Sequence, residues 1–149
     1  MDFTLPRNTI FYELERTIKL YRKLSQDHID QTGYDVSVNQ LILLIQIVKN
    51  PKLTQVELSE VIFKDFASIA RMVDLLVKKD FLKRTENPKD RRKKDLIPTP
   101  KGIKMVNELV PVINNYRALA LKGIDPDEVA KTLKLLETLA DNCITNFKD

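Results

Sequence analysis

Apolar residues recur at helical spacing along most of the chain. Ile10, Leu14, Ile18, Tyr21 and Leu24 form one stripe between Thr9 and His28, which predicts an amphipathic helix, and Gly33 closes the connection after it. Ser37-Val38-Asn39-Gln40 reads as a capping box, in which serine and glutamine side chains satisfy the free amides of a helix start. The helix it opens runs through Leu41, Leu44, Ile45 and Val48 to Asn50-Pro51. It is apolar nearly all round, so it is expected to be the central buried helix. Thr54-Gln55-Val56-Glu57 is a second capping box, opening a short helix with Leu58, Val61 and Ile62 inward. Lys64-Asp65 makes a turn, with Asp65 the cap of the next helix. There Ile69, Val73, Leu76 and Val77 share one face, and Phe66, Ala67, Ser68, Arg71, Asp74 and Lys78 the other. Two short capped helices across a tight turn have the organisation of a helix-turn-helix.

Phe81 to Thr85 and Leu96 to Thr99 are compatible with short strands. Between them Asn87-Pro88-Lys89-Asp90-Arg91-Arg92-Lys93-Lys94 forms a polar, strongly basic turn, so the pair reads as a hairpin wing. Thr99-Pro100 opens a helix through Met105, Leu109, Val112 and Ile113 that Gly123 ends. Asp125-Pro126-Asp127-Glu128 starts the last helix, which carries Val129, Leu133, Leu136, Leu139, Ala140, Cys143 and Phe147. The expected fold is mainly α with a small β-hairpin wing. A winged helix-turn-helix lobe over 36–100 is flanked by arms over 1–30 and 101–149 within a single domain of 149 residues. The arm stripes, with Ile10 and Leu14 at one end and Leu133, Leu136, Leu139, Cys143 and Phe147 at the other, are expected to bury each other across a homodimer.

Charge changes the picture. The net charge is only +4, yet Lys78 to Lys104 holds eleven Lys/Arg against four Asp/Glu, leaving a mildly acidic remainder. A basic segment centred on a predicted wing points to a polyanion, here double-stranded DNA. No run approaches the roughly 18 apolar residues of a membrane span, and Met1 to Arg7 lacks a signal-peptide pattern. With one cysteine, Cys143, and no internal disulfide, the expected compartment is the cytoplasm.

In these residues the chain resembles the MarR family of transcriptional regulators, most sharply from Leu58 to Gly102. Leu58-Ser59-Glu60 with Ser68-Ile69-Ala70-Arg71-Met72-Val73-Asp74-Leu75-Leu76 is similar to the family's helix-turn-helix. Lys78 to Arg84 matches the exit into the wing, Asp90-Arg91-Arg92 its Asp-x-Arg signature, and Thr99-Pro100-Lys101-Gly102 the start of the following helix. The chain departs from the pattern at Asp80, where glycine is frequent, at Pro98, commonly leucine, and at apolar Leu75. Asp80 tolerates a left-handed turn better than most residues.

A helix-turn-helix puts the start of its second helix into the major groove, so Phe66, Ala67, Ser68 and Arg71 are the expected reading residues. Arg71 can bind guanine through two hydrogen bonds, contact phosphate, or pair internally with Asp74. Lys89, Arg91, Arg92, Lys93 and Lys94 are the expected wing contacts, with Arg92 assigned to the minor groove by the resemblance. Asp90 is expected to pair with Arg84 or Arg92 and shape the wing, and amides at the Thr54 and Asp65 helix starts to offer phosphate sites. The resemblance further implies repression relieved by a small aromatic ligand, for which Tyr21, His28, Tyr34 and Leu43 are candidate lining residues. No cofactor or metal is expected, since one His and one Cys make a poor transition-metal site. Nor is an enzyme, since the sequence has no phosphate loop or nucleophile motif. Two other readings stay open: a winged helix that binds protein rather than DNA, and redox sensing through Cys143, whose neighbours favour buried packing instead.

Overall fold

The computed structural model describes residues 9–88, 90 and 94–145. Its elements are α1 (Ile10–Asp30), α2 (Val38–Lys49), α3 (Gln55–Ile62), α4 (Phe66–Lys78), β1 (Leu82–Glu86), β2 (Lys94–Pro98), α5 (Pro100–Ala120) and α6 (Pro126–Thr145). The fold is mainly α with a two-stranded hairpin, the winged helix-turn-helix arrangement expected. The chain divides into units 1–116 and 117–149, the division falling in the last turn of α5.

In the first unit, local chemistry starts each helix as its sequence dictates. The Thr9 hydroxyl accepts from the Tyr12 amide at 3.3 Å. Both halves of both capping boxes form, at Ser37/Gln40 and at Thr54/Glu57, satisfying amides that a helix start leaves unpaired. Central α2 buries Leu41, Leu43, Leu44 and Ile47 and packs against α1, α3, α4 and β2. Ile29, Leu58, Ile69, Val73, Leu76, Leu82, Met105 and Leu109 complete the core around it. Val61, expected inward on α3, is exposed, while Leu58 and Ile62 are buried. An eight-residue helix has room for one narrow apolar stripe, and Val61 falls beside it.

The turn from α3 to α4 is made by Phe63, whose φ of 56° and ψ of 47° are left-handed, a conformation that strains a residue with a Cβ. Its ring is 89% exposed. Asp80 likewise adopts φ 60° as the chain leaves α4, so aspartate does make the turn where glycine is frequent in the family.

The hairpin is antiparallel, in a register that runs from Leu82 opposite Pro98 to Glu86 opposite Lys94. Pro98 stands at the end of its strand, where a missing amide costs the ladder least. The junction from β2 into α5 is tightly bound. The Thr99 hydroxyl donates to the Asp80 carbonyl at 2.6 Å and accepts from the Gly102 amide at 3.0 Å. The Thr99 amide in turn donates to the Phe81 carbonyl at 3.1 Å. Gly102 is required because a Cβ there would be driven into that same carbonyl oxygen and would stand 3.0 Å from its carbon.

In the second unit, Gly123 turns the chain at φ 80°, and the Asp125 side chain accepts from the Asp127 amide at 2.8 Å to start α6. No described residue of α6 is buried.

Candidate nucleic-acid interface

Burial sets which face of α4 is free. Ile69, Val73 and Leu76 are fully buried, and at 3.6 residues per turn this turns Phe66, Ala67, Arg71, Asp74, Leu75 and Lys78 outward, all of them exposed. The Phe66 ring is 54% exposed at the head of the helix. Asp65 caps α4, one carboxylate oxygen accepting from the Ser68 amide at 2.8 Å and the other from the Ser68 hydroxyl at 2.6 Å. These two bonds, the hydroxyl's first, hold the Asp65 carboxyl below its usual pKa, with a smaller contribution from the positive charge of Arg71. The Ser68 proton, expected to be available to DNA, is therefore committed to the cap.

Arg71 is freer than its neighbours. Among the described residues no carboxylate lies within ion-pair distance of it. The internal alternative, Asp74, is held instead by Arg84 at 2.5 Å. That bridge fastens β1 of the wing to the exposed side of α4. Of the two expected partners of Asp90, Arg84 is thus engaged with Asp74 instead, and Arg92 lies outside the described residues. The Asp90 amide donates to the Asn87 side chain at 3.1 Å, and Asn87 donates to Asp95 at 2.9 Å, so this end of the wing is shaped by a side-chain chain that starts at Asn87.

Lys94 belongs to β2 rather than to the turn and pairs with Glu86 across the strands at 3.3 Å. Lys79 is drawn to Asp35 at 2.8 Å. Lys101 donates to the Lys79 carbonyl at 2.9 Å, its ammonium 4.8 Å from the centre of the Phe81 ring. The basic segment thus spends part of its charge pinning the wing to the lobe. Lys89, Arg91, Arg92 and Lys93 lie outside the described residues. The expected phosphate sites at the helix starts are disfavoured by carboxylates already there. Glu57 accepts from the Thr54 amide at 2.7 Å, which with the Thr54 hydroxyl lowers its pKa, and Asp65 fills the other start.

The four candidate ligand-lining residues fall in different places. Tyr21 and His28 both meet Tyr116, with ring centres at 5.8 and 5.9 Å. The His28 Nδ1 is also 2.8 Å from the Leu24 carbonyl. Tyr34 stands apart, beside Phe81 at 6.5 Å and donating its hydroxyl to Glu108, which raises the phenol pKa. Leu43 is fully buried in the core, so it lines no accessible pocket in this conformation. An open cleft of about 500 Å³ lies instead between the α2–α3 connection and the wing root, bordered by Lys52, Thr54, Phe66, Asn87 and Lys94.

Of the expected dimer contacts, Ile10 and Leu133 are 43% and 57% exposed in the single chain, and Leu14, Leu136 and Leu139 are half-buried. Cys143, also expected at the dimer contact, is exposed in the single chain. Phe147 lies outside the described residues. Sequence reasoning missed the Arg84–Asp74 bridge, for which a separation of ten residues leaves no local signal, and the Tyr116 side chain that gathers Tyr21 and His28. No helix among the described residues is long and apolar enough to cross a membrane.

Residues 34–93, from Tyr34 into the wing turn, match the MarR family model. Among solved structures, the chain is similar to a cysteine-to-serine variant of MarR from E. coli complexed with operator DNA. The identity is 24% and the TM-score 0.81, covering 91% of this chain and 97% of that one. BpsR of Bordetella bronchiseptica, described for regulation of its DNA binding by 6-hydroxynicotinic acid, gives 21% identity and a TM-score of 0.81, with 91% and 95% covered. The transcriptional regulator SlyA gives 21% and 0.82, with 93% and 96% covered. The family match is seated on the helix-turn-helix and the first half of the wing, and the winged-helix fold is shared with these regulators over about nine-tenths of the chain.

Proposed function

We propose that the protein is a sequence-specific regulator that binds duplex DNA as a homodimer on a pseudo-palindromic operator. The observation that carries this reading is the outward face of α4. Phe66, Ala67 and an Arg71 without an ion-pair partner among the described residues lie on the helix that Arg84 ties to the wing. The wing turn adds Lys89, Arg91, Arg92 and Lys93, which we assign to phosphate and, for Arg92, to the minor groove. The operator complex of the related MarR supports the same use of the lobe. Two recognition helices in a dimer read half-sites about 34 Å, or roughly 10 base pairs, apart.

The lobe is 36–100 and the arms 1–30 and 101–149. Support for dimerisation comes from apolar side chains left in water on each arm: Ile10, Phe11, Ile18 and Leu20 on α1, Leu133, Leu135 and Ile144 on α6. A patch of that kind on a single chain calls for a partner surface, and a second copy supplies one symmetrically. The protein works in the cytoplasm, where its DNA is. We further place repression, and its release by a small aromatic ligand, in this reading. The BpsR comparison supports it, and the Tyr21–Tyr116–His28 group is the aromatic cluster to which we assign the ligand.

The test is fluorescence anisotropy with the protein's own upstream DNA and a shuffled duplex of equal length. Preference for the upstream DNA by a hundredfold or more, with a footprint of two half-sites one turn apart, is the expected result. Equal affinity for both duplexes contradicts it.

A further inference from the structure

We infer that the first turns of α4 read thymine methyl groups through Phe66 and Ala67, with Arg71 making the one guanine-directed contact beside them. This rests on the DNA-binding reading above and names the base chemistry that it recognises. The argument is one of elimination among the groups that α4 turns outward. Fully buried Ile69, Val73 and Leu76 fix the rotation of the helix, so the side chains it presents over its first two turns are Phe66, Ala67, half-exposed Ala70 and Arg71. The Ser68 hydroxyl donates its hydrogen bond to Asp65. Both Asp65 oxygens already accept from Ser68. Asp74, one turn further on, is neutralised by Arg84. Arg71 is thus the hydrogen-bonding side chain in this stretch whose donors are uncommitted, and exposed Leu75 continues the apolar strip beyond it.

Adenine, guanine and cytosine present hydrogen-bonding groups to the major groove, whereas thymine adds a C5 methyl. A helix with one free donor fork and an exposed phenyl ring matches one guanine and adjacent thymines. Seating the ring against methyl groups removes apolar surface of both partners from water, at a gain of about fourfold in affinity per methyl.

The test starts from a random duplex pool selected on the wild-type protein, with the best duplex resynthesised using deoxyuridine in place of each half-site thymine. That change removes only the C5 methyl and leaves pairing and phosphates in place. Selected half-sites are expected to pair a guanine with neighbouring thymines, and uracil is expected to weaken binding about fourfold per methyl contacted. Phe66→Ala should lose the thymine-over-uracil preference while keeping its helical signal and salt slope, and Phe66→Leu should restore part of it. Wild-type protein that binds the uracil duplex as tightly as the thymine duplex overturns the inference. So does a Phe66→Ala protein that keeps the full preference. Failure of the pool to enrich at any salt concentration refutes DNA reading itself, and the inference with it.

Discussion

Replacing Gly102 by alanine tests the joint that holds the wing to the lobe. In an ordinary helix interior this change is favourable by about 1 kcal/mol, because glycine has more backbone freedom to lose. Here the added methyl would be driven into the carbonyl oxygen of Phe81 and stand 3.0 Å from its carbon and 3.3 Å from its Cα. Those atoms are backbone and cannot swing aside. The Phe81 carbonyl accepts from the Thr99 amide at 3.1 Å, and the Phe81 amide donates to the Leu76 carbonyl at 2.9 Å. Movement of Phe81 therefore disturbs the end of α4 and the start of α5 together, while its buried ring resists displacement. Overpacking costs about 1–3 kcal/mol, and a clash with backbone atoms puts this site at the upper end, about 2–3 kcal/mol, so that a net loss of about 1–2 kcal/mol remains after the helix gain. At about 2–4 °C per kcal/mol for a chain of this size, Tm should fall by roughly 2–8 °C. Urea and thermal unfolding followed by circular dichroism measure it, at one protein concentration because a dimer's stability depends on it. Asn107→Ala, on the exposed side of the same helix, is the neutral control. A Gly102→Ala protein as stable as wild type or more so would refute the close approach of α5 to the wing root.

Three further outcomes follow from the same geometry. Thr99→Val removes a buried hydroxyl that serves both the Asp80 carbonyl and the Gly102 amide, so unfolding should show a loss of about 1–3 kcal/mol; an unchanged urea midpoint contradicts this. Leu133→Asp with Ile144→Asp, both side chains exposed in the single chain, should sediment as a folded monomer that has lost specific DNA binding. A variant that still sediments as a dimer rules out that surface of α6. Hydrogen bonds from Ser68 and Thr54 lower the pKa values of Asp65 and Glu57. A depressed folded pKa gives stability that is present above the unfolded value near pH 4 and is lost as pH falls through the folded one. Asp65→Asn with Glu57→Gln should therefore flatten the acid limb of the stability profile, and a superimposable profile argues against these caps.

What could be read from the sequence was what is local. Caps at Ser37, Thr54 and Asp65 and the two strands of the wing each follow from a few neighbouring residues; the caps form where expected, and the strands run over Leu82–Glu86 and Lys94–Pro98. Longer-range facts were not legible. Periodicity marks an apolar face without saying how wide its cover is, so Val61 was placed inward. It is likewise silent on what covers a terminal helix, and Cys143, on the stripe expected to pack across a homodimer, is exposed in the single chain. Charge counting located the basic segment but not its internal use, and Lys79, Arg84 and Lys94 proved to be tied to Asp35, Asp74 and Glu86. Aromatic residues considered together by type, Tyr21, His28 and Tyr34, separate because Tyr116 gathers two and Glu108 holds the third.

Lys79, Arg84 and Lys94 are tied to carboxylates, whereas Arg91 and Arg92 of the wing turn are the residues assigned to DNA, and that makes the salt dependence of DNA binding the most direct test of the account. The measurement is the slope of log affinity against log salt concentration for wild-type protein and for Arg91→Ala with Arg92→Ala on the same upstream duplex. Each phosphate contact contributes roughly 0.9 to that slope. With Arg91 of both subunits on phosphate, the variant should be weaker and its slope shallower by about 1.8, and by up to about 3.6 where Arg92 in the minor groove also neutralises phosphate, with the dimer intact. An unchanged affinity and slope would contradict a DNA-binding wing.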